Sequence, residues 1–367
     1  MPSPSLRVFI IGAGTMAREH ARSACSTGRD VELHVADPDP SARDRFLAEF
    51  PDAEVDDSGD SMLARATSKN DLVVVATPPW LHESYLELGL RSGRNVLCEK
   101  PLLTSRQAIA SVSQTLRQTG KTLFCCSCRF ITNPATRAVA DMVADGSLGQ
   151  IYSVSLRQSM QRMRSGIEWQ PESAWFMDKS KNGGGCLMDW TPYDLANLNE
   201  VLRPEAITAL RVDMAQPELP SDLPEGSLFD VETHATATLL YHRADGGTVP
   251  VHYERGSGSF GPNRDEAVVT GTKGSVSWTI MGYAGDLELS LRNAANEAGS
   301  VQVFKPPGEF WYSRAPVGEA IHFSDGRPHS AIVNGEALFS ATVLRSLYEV
   351  SESSQPLRVD RSDFQDS

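Results

Sequence analysis

The chain has 367 residues, of which 40% are hydrophobic and 22% charged, with a formal net charge of -13. That length exceeds one comfortable core and implies two domains, while the negative balance disfavours nucleic-acid backbones and anionic lipid as partners. No apolar run approaches the roughly 18 residues that span a bilayer, so membrane roles are set aside as well.

The first 125 residues or so alternate strand and helix signals. The opening residues, Met1–Arg7, lack a basic segment followed by an apolar core, so the expectation is a cytoplasmic protein without a signal peptide. Leu6–Ile11 reads as a strand running into glycines, followed by a helix over Met16–Thr27. Val31–Ala36 reads as a second strand, stopped by Asp37-Pro38-Asp39-Pro40, and Ser41–Phe50 as the next helix. Leu72–Ala76 is a continuous apolar run, the pattern of a strand covered on both faces. Helices over His82–Arg91 and Ser105–Thr119 alternate with strands over Asn95–Cys98 and Thr122–Cys126. This is the rhythm of a doubly wound parallel sheet.

After Arg129 the rhythm changes. A helix over Asn133–Asp145 ends at Gly146, and a strand follows over Gln150–Gln158. A glycine turn at Gly183–Gly185 leads into a helix over about Leu187–Leu202. Strand-like runs at Thr233–Tyr241, Val249–Tyr253, Ala267–Thr270 and Ser275–Ile280 are separated by turns without long helices, which predicts a mostly antiparallel sheet. Glu309–Phe323 and Gly335–Val350 read as helices. The polar end, Ser351–Ser367, is expected to be extended or partly disordered.

Six cysteines are too sparse for a disulfide framework. Cys125, Cys126 and Cys128 read as free thiols of a buried strand, because no second ligand pair follows at metal-binding spacing. No metal is expected. His234 and His242 share a strand face but have no third ligand nearby.

The strongest signal lies at the first strand. Gly12-Ala13-Gly14-Thr15-Met16-Ala17 is a G-x-G-x-x-A fingerprint between a strand and a helix. Gly12 allows the tight turn, Gly14 lets a pyrophosphate approach the backbone, and Ala17 lets helix and strand pack closely. The helix start then offers free N–H groups to the diphosphate. Asp37 closes the second strand about 20 residues on, where an acid grips the adenosine ribose. A carboxylate there favours NAD and repels the 2′-phosphate of NADP, although Arg43 and Arg45 on the next helix remain within reach of a phosphate. Cys98-Glu99-Lys100-Pro101 ends another strand, and carboxyl ends of Rossmann strands face the cofactor crevice. Lys100 is therefore a candidate to hold a substrate hydroxyl, or is a surface lysine beside a turn-forming proline.

These stretches, with Ala76–His82 (A-T-P-P-W-L-H) and Gly183–Trp190 (G-G-G-C-L-M-D-W), together resemble the glucose–fructose oxidoreductase, inositol dehydrogenase and rhizopine catabolism (Gfo/Idh/MocA) family. Arg129–Pro134, Gly146–Gly149 and Gly271–Val276 match further, in the family's order. The resemblance implies an NAD-binding Rossmann domain over 1–128, and a substrate-binding and oligomerisation α/β domain over 129–350. That second domain is built on a large, mostly antiparallel open sheet, and 351–367 forms a polar tail. It implies a homodimer or homotetramer that acts on a secondary alcohol or ketone of a sugar, amino sugar or inositol. The cofactor site is expected to draw on Gly12, Gly14, Thr15, Met16 and Asp37, with Thr77, Pro78 and His82, and with Glu99 and Lys100. Lys100 and Asp189 take the family's catalytic positions.

One departure matters. Many members carry a histidine four residues after that aspartate, and this chain has Tyr193, as some branches do. A phenol donates and accepts a proton, and its ordinary pKa near 10 falls beside an ammonium such as that of Lys100. On one helix, Asp189 and Tyr193 are i and i+4 and share a face; Asp194 points elsewhere. Trp80, Trp169 and Trp175 are candidates to stack on cofactor or sugar, or to pack as core. Arg157, Arg162 and Arg164 are candidates for an acidic substituent, or are exposed strand arginines. A non-catalytic NAD-binding regulator and an NAD-dependent glycosidase are the competing functions.

Overall fold

Residues 6–161, 171–216, 228–280, 287–292, 298–304 and 315–365 are described by a computed structural model. Two units emerge: Met1–Arg129, Trp311–Ala341 and Phe364–Ser367 form the first, and Phe130–Phe310 with Thr342–Asp363 the second. Arg162, Arg164 and Trp169 lie outside the described residues.

The first unit opens with β1 (Leu6–Ile11), α1 (Thr15–Cys25), β2 (Val31–Ala36), α2 (Pro40–Leu47), β3 (Glu54–Asp56) and α3 (Gly59–Leu63). β4 (Asp71–Val75), α4 (His82–Arg91), β5 (Asn95–Cys98), α5 (Arg106–Thr119) and β6 (Leu123–Cys125) complete the run. The second unit holds α6 (Pro134–Ala144), β7 (Ile151–Met160), α7 (Lys179–Asn182), α8 (Cys186–Leu202) and β8 (Pro204–Ala215). It continues through β9 (His234–Arg243), β10 (Thr248–Ser257), β11 (Arg264–Gly271), β12 (Gly274–Trp278), β13 (Leu287–Arg292) and β14 (Ala298–Phe304). The chain then returns to the first unit with α9 (Ala315–Ser324) and β15 (Ile332–Val333). α10 (Asn334–Ser353) carries it back to the second, where β16 (Leu357–Asp360) lies.

In the first sheet the strand order is β15-β6-β5-β4-β1-β2-β3. All pairs are parallel except the β15–β6 edge. The order reverses between β1 and β4, and the carboxyl ends of strands at such a switch point form the ligand crevice of doubly wound sheets. All five residues of β4 are buried, as a strand covered on both faces requires. Helix ends follow local chemistry. The Asp39 side chain accepts from Ser41 N with Pro40 in the first turn, and Ser105 accepts from Ala108 N while Gly120, at φ +61°, ends α5. α9 adds Val317, Ala320 and Ile321 to the core beneath β1 and α1.

Nine strands form the second sheet, in the order β14-β13-β12-β11-β7-β10-β9-β8-β16. Its pairs are antiparallel except β7 with β10. Burial alternates along β9, with Ala235, Ala237, Leu239 and Tyr241 buried between half-buried neighbours. α8 packs against β9 and β10, and α6 packs against α8, so helices cover one face. Residues 357–360, in the polar terminal stretch, pair as β16 with β8 from Ala206 to Ala209. Among the described residues no helix is long and apolar enough to cross a membrane.

Candidate active-site residues

The two fingerprint glycines are needed for different reasons. Gly12 sits at φ +98°, and a Cβ there would stand 2.6 Å from the Ala76 carbonyl oxygen at the end of β4. The fold itself forbids a side chain. Gly14 has an ordinary φ of -73° and no side-chain cap on α1, and a Cβ added there meets nothing within 4 Å. No protein neighbour demands glycine at that point, so the turn is open on that side. The exposed Thr15 and half-buried Met16 follow in the first turn of α1, and Ala17 is fully buried. Thr77, next to Gly12 at the end of β4, carries a buried hydroxyl without a hydrogen-bond partner. A bare N-terminal turn and an orphan hydroxyl at the switch point fit a diphosphate-bearing dinucleotide.

Asp37 follows β2. Its Oδ2 accepts from Ala13 N at 2.8 Å, tying the strand end to the glycine turn, and its Oδ1 accepts from Asp39 N. Arg43 donates to the Asp37 carbonyl at 2.5 Å, and Arg45 lies 3.7 Å from the Asp39 carboxylate.

His82 starts α4 and is fully buried. Its Nδ1 lies 2.9 Å from the Pro101 carbonyl and its Nε2 lies 2.9 Å from that of Thr77. It therefore joins the Thr77-Pro78 turn to the Lys100-Pro101 turn. Burial pushes the imidazole below its ordinary range, against the opposite pull of these carbonyls.

Glu99 is an anchor beneath Lys100. Its Oε2 accepts from the Lys100 backbone N at 3.1 Å, while Oε1 accepts from Arg129 Nη2 at 2.5 Å and from His20 Nε2 at 2.8 Å. Burial alone would push this carboxyl up, but the Arg129 guanidinium and His20 hold it well below the ordinary value. Lys100 itself is half-buried. Sequence reasoning missed the His20 role, although a histidine on the Ala17–Ala21–Ala24 face of α1 is a core position and so a signal. His20, Glu99 and Cys126 also bring three metal-capable atoms within 4.8 Å of one another. Arg129 shares the same Glu99 oxygen, and burial pushes the Cys126 thiol well up, so the group lacks the free anionic donors a cation needs. Burial likewise raises the thiols of Cys98, Cys125 and Cys128.

In the second unit, the glycine triplet is set by packing. Gly183 ends α7 at φ +82°, a Cβ on Gly184 would lie 2.0 Å from the Tyr348 hydroxyl, and one on Gly185 would lie 1.9 Å from the Glu232 carbonyl. The Glu232 carboxylate accepts from Gly185 N at 2.9 Å, Leu187 N at 3.1 Å and the Tyr348 hydroxyl at 2.8 Å. It thereby caps α8 from a distance. Neither Glu232 nor Tyr348 has a local sequence signal.

Asp189 lies in the first turn of α8 and Tyr193 one turn on, 1% and 3% exposed. The Tyr193 ring stands edge-on to Phe130 at 4.8 Å. Its carbonyl accepts from Asn197 Nδ2, and Asn197 Oδ1 accepts from Thr136 on α6. Asp194 turns to the sheet instead, bound by Arg255 at 2.6 Å and by the Tyr253 hydroxyl at 2.6 Å. Arg157 pairs with Glu254 at 2.8 Å, His234 with Glu254 at 3.3 Å, and His242 with Thr208. Trp175 stacks on Phe176, and Trp80 is 41% exposed.

Residues 6–126 match the family model described as "Oxidoreductase family, NAD-binding Rossmann fold", and residues 136–277 match the GFO/IDH/MocA C-terminal domain. The chain is similar to D-glucoside 3-dehydrogenase of Escherichia coli K12, 33% identical over 52% of each chain. It is also similar to dTDP-3,4-didehydro-2,6-dideoxy-alpha-D-glucose 3-reductase of Streptomyces antibioticus, 28% identical over 56% of this chain and 59% of that one. The match thus spans only about half the length of these curated relatives. Among solved structures, levoglucosan dehydrogenase in complex with NADH and levoglucosan shares the fold, with a TM-score of 0.78 over 97% of this chain and 100% of that one at 17% identity.

Proposed function

The chain belongs to the Gfo/Idh/MocA oxidoreductase family, and from that premise we propose that it is an NAD-dependent dehydrogenase or reductase of sugars, amino sugars or inositols. The reaction interconverts a secondary alcohol and a ketone. One observation carries the reading most: at the switch point between β1 and β4 the open Gly14 turn lies at the start of α1 and the buried Thr77 hydroxyl beside Gly12 has no partner.

Gly12–Ala17, Asp37 and the Thr77-Pro78 turn would hold NAD, which would supply the hydride acceptor. The protein handles the proton. In the oxidative direction Tyr193 takes the proton of the substrate hydroxyl, and the Lys100 ammonium orients that hydroxyl and favours the phenolate. Asp189 accepts a hydrogen bond from a neighbouring hydroxyl. We place the protein in the cytoplasm, since all six of its cysteines are free and suit a reducing compartment. A homodimer or homotetramer follows from the family resemblance.

The names of both curated relatives put the chemistry at carbon 3 of a glucose-type ring, so glucosides head the test panel, followed by inositols and free aldoses. Absorbance at 340 nm should report NADH formed from NAD with at least one of them. Tight NADH binding without turnover on any would replace the enzyme with a cofactor-binding regulator.

A further inference from the structure

Along β9 and β10 the face toward α8 is apolar through Ala235, Ala237, Leu239, Tyr241 and Val251, all buried. At the end nearest the start of α8 it turns polar. Thr233 and Ser257, joined through Ser257 N and the Thr233 carbonyl, are 4% and 3% exposed, and Asn182 is 1% exposed. The Thr233 and Ser257 hydroxyls and Asn182 Oδ1 have no hydrogen-bond partner. These three residues line one cavity of about 20 Å³ together with Asp189, Glu232 and Phe176. The Asn182 amide nitrogen donates to the Gly184 carbonyl at 2.7 Å, which turns its oxygen into an acceptor for something else.

Three orphan polar groups in one buried spot cost stability unless a ligand group satisfies them. We propose that this cavity is the subsite for a single hydroxyl or amino substituent on the substrate ring, next to the hydroxyl that Asp189 holds. The proposal rests on the dehydrogenase reading and narrows its substrates to rings that carry a hydroxyl or amino group, not a phosphoryl or carboxylate group, at that one position. Size and charge both select for this. A space of about 10–15 Å³ on this measure admits one water-sized group, so a phosphoryl or carboxylate substituent does not fit. Asp189 and Glu232 are in the lining and no lysine or arginine is, which offers an anion no counter-charge from the lining. A hydroxyl suits the set, because it donates to Asn182 Oδ1 or Asp189 while accepting from Thr233 or Ser257. Arg157, the described candidate for an acidic substituent, is exposed and spent on Glu254.

The test compares kcat/KM of the NAD-loaded enzyme for methyl glucoside, glucosamine, myo-inositol, glucose 6-phosphate and glucuronate. The best substrate should be one whose ring offers a hydroxyl or amino group to the cavity. Thr233→Val and Ser257→Ala should each lower kcat/KM for that best substrate about tenfold, through KM, with the KM for NAD and the Tm preserved because each deletes an unpaired group. An unchanged sugar KM in the double variant overturns the subsite while leaving the dehydrogenase intact. Should no sugar be turned over, thermal shift of the NAD-loaded protein with the same compounds decides. Stabilisation of the parent but not of the double variant by a neutral or amino sugar supports the subsite, and no shift in the parent overturns it.

Discussion

At the scale of single residues, the proposed preference for NAD rests on Asp37. Its carboxylate fixes the glycine turn through Ala13 N, and Arg43 and Arg45 are held by the carbonyl of Asp37 and the carboxylate of Asp39. A 2′-phosphate bound there would meet the Asp37 carboxylate, with Arg43 turned to a backbone carbonyl and Arg45 beside Asp39. With a reactive substrate, kcat/KM should favour NAD over NADP by at least about tenfold, the scale of one lost charged contact at about 1.4 kcal/mol. An equal or reversed preference contradicts this account of Asp37. Asp194 makes a different point: set aside on helix geometry, it proves to be half of a buried ion pair with Arg255. A buried charge that touches another charge on a distant strand has no local pattern to reveal it.

Among the elements, the β1–α1 junction separates what the fold needs from what the ligand needs. Gly12→Ala forces a Cβ against the Ala76 carbonyl at a left-handed φ, so it should lower Tm and cost more than about 1 kcal/mol. Gly14→Ala meets no neighbour; it should leave Tm of the cofactor-free protein unchanged and weaken NADH binding at least about tenfold. Equal loss of Tm in both would remove Gly14 as a ligand-facing residue. This junction was legible because strand, glycines and helix are adjacent in sequence and each has a periodic signature. β3 escaped because Glu54-Val55-Asp56 offers one apolar residue at a sheet edge. The strand expected over Thr122–Cys126 is β6, Leu123–Cys125, because a 3-10 turn takes over at Cys126. Polarity also hid β16, whose only buried residue is Val359. The glycine triplet was legible as a motif, but its causes, Tyr348 and Glu232, come from far along the chain.

For the whole molecule, acid stability follows from Glu99. A carboxyl held below its ordinary value of 4.5 contributes stability that is fully present above that value and is lost as pH falls through the lower, folded-state value. Arg129→Leu strips the partner and leaves a buried charge, costing about 3–5 kcal/mol near neutral pH. The gap in Tm between parent and variant should narrow as pH drops below about 4; a gap independent of pH would show that Arg129 acts through packing alone. In the proposed NAD-linked oxidation Tyr193 is the proton acceptor. Its most direct test is kcat of Tyr193→Phe beside Lys100→Met, with NADH affinity measured on the same preparations. Each should lose about 100-fold or more in kcat while binding NADH nearly as the parent does; near-parental turnover in Tyr193→Phe would contradict the mechanism.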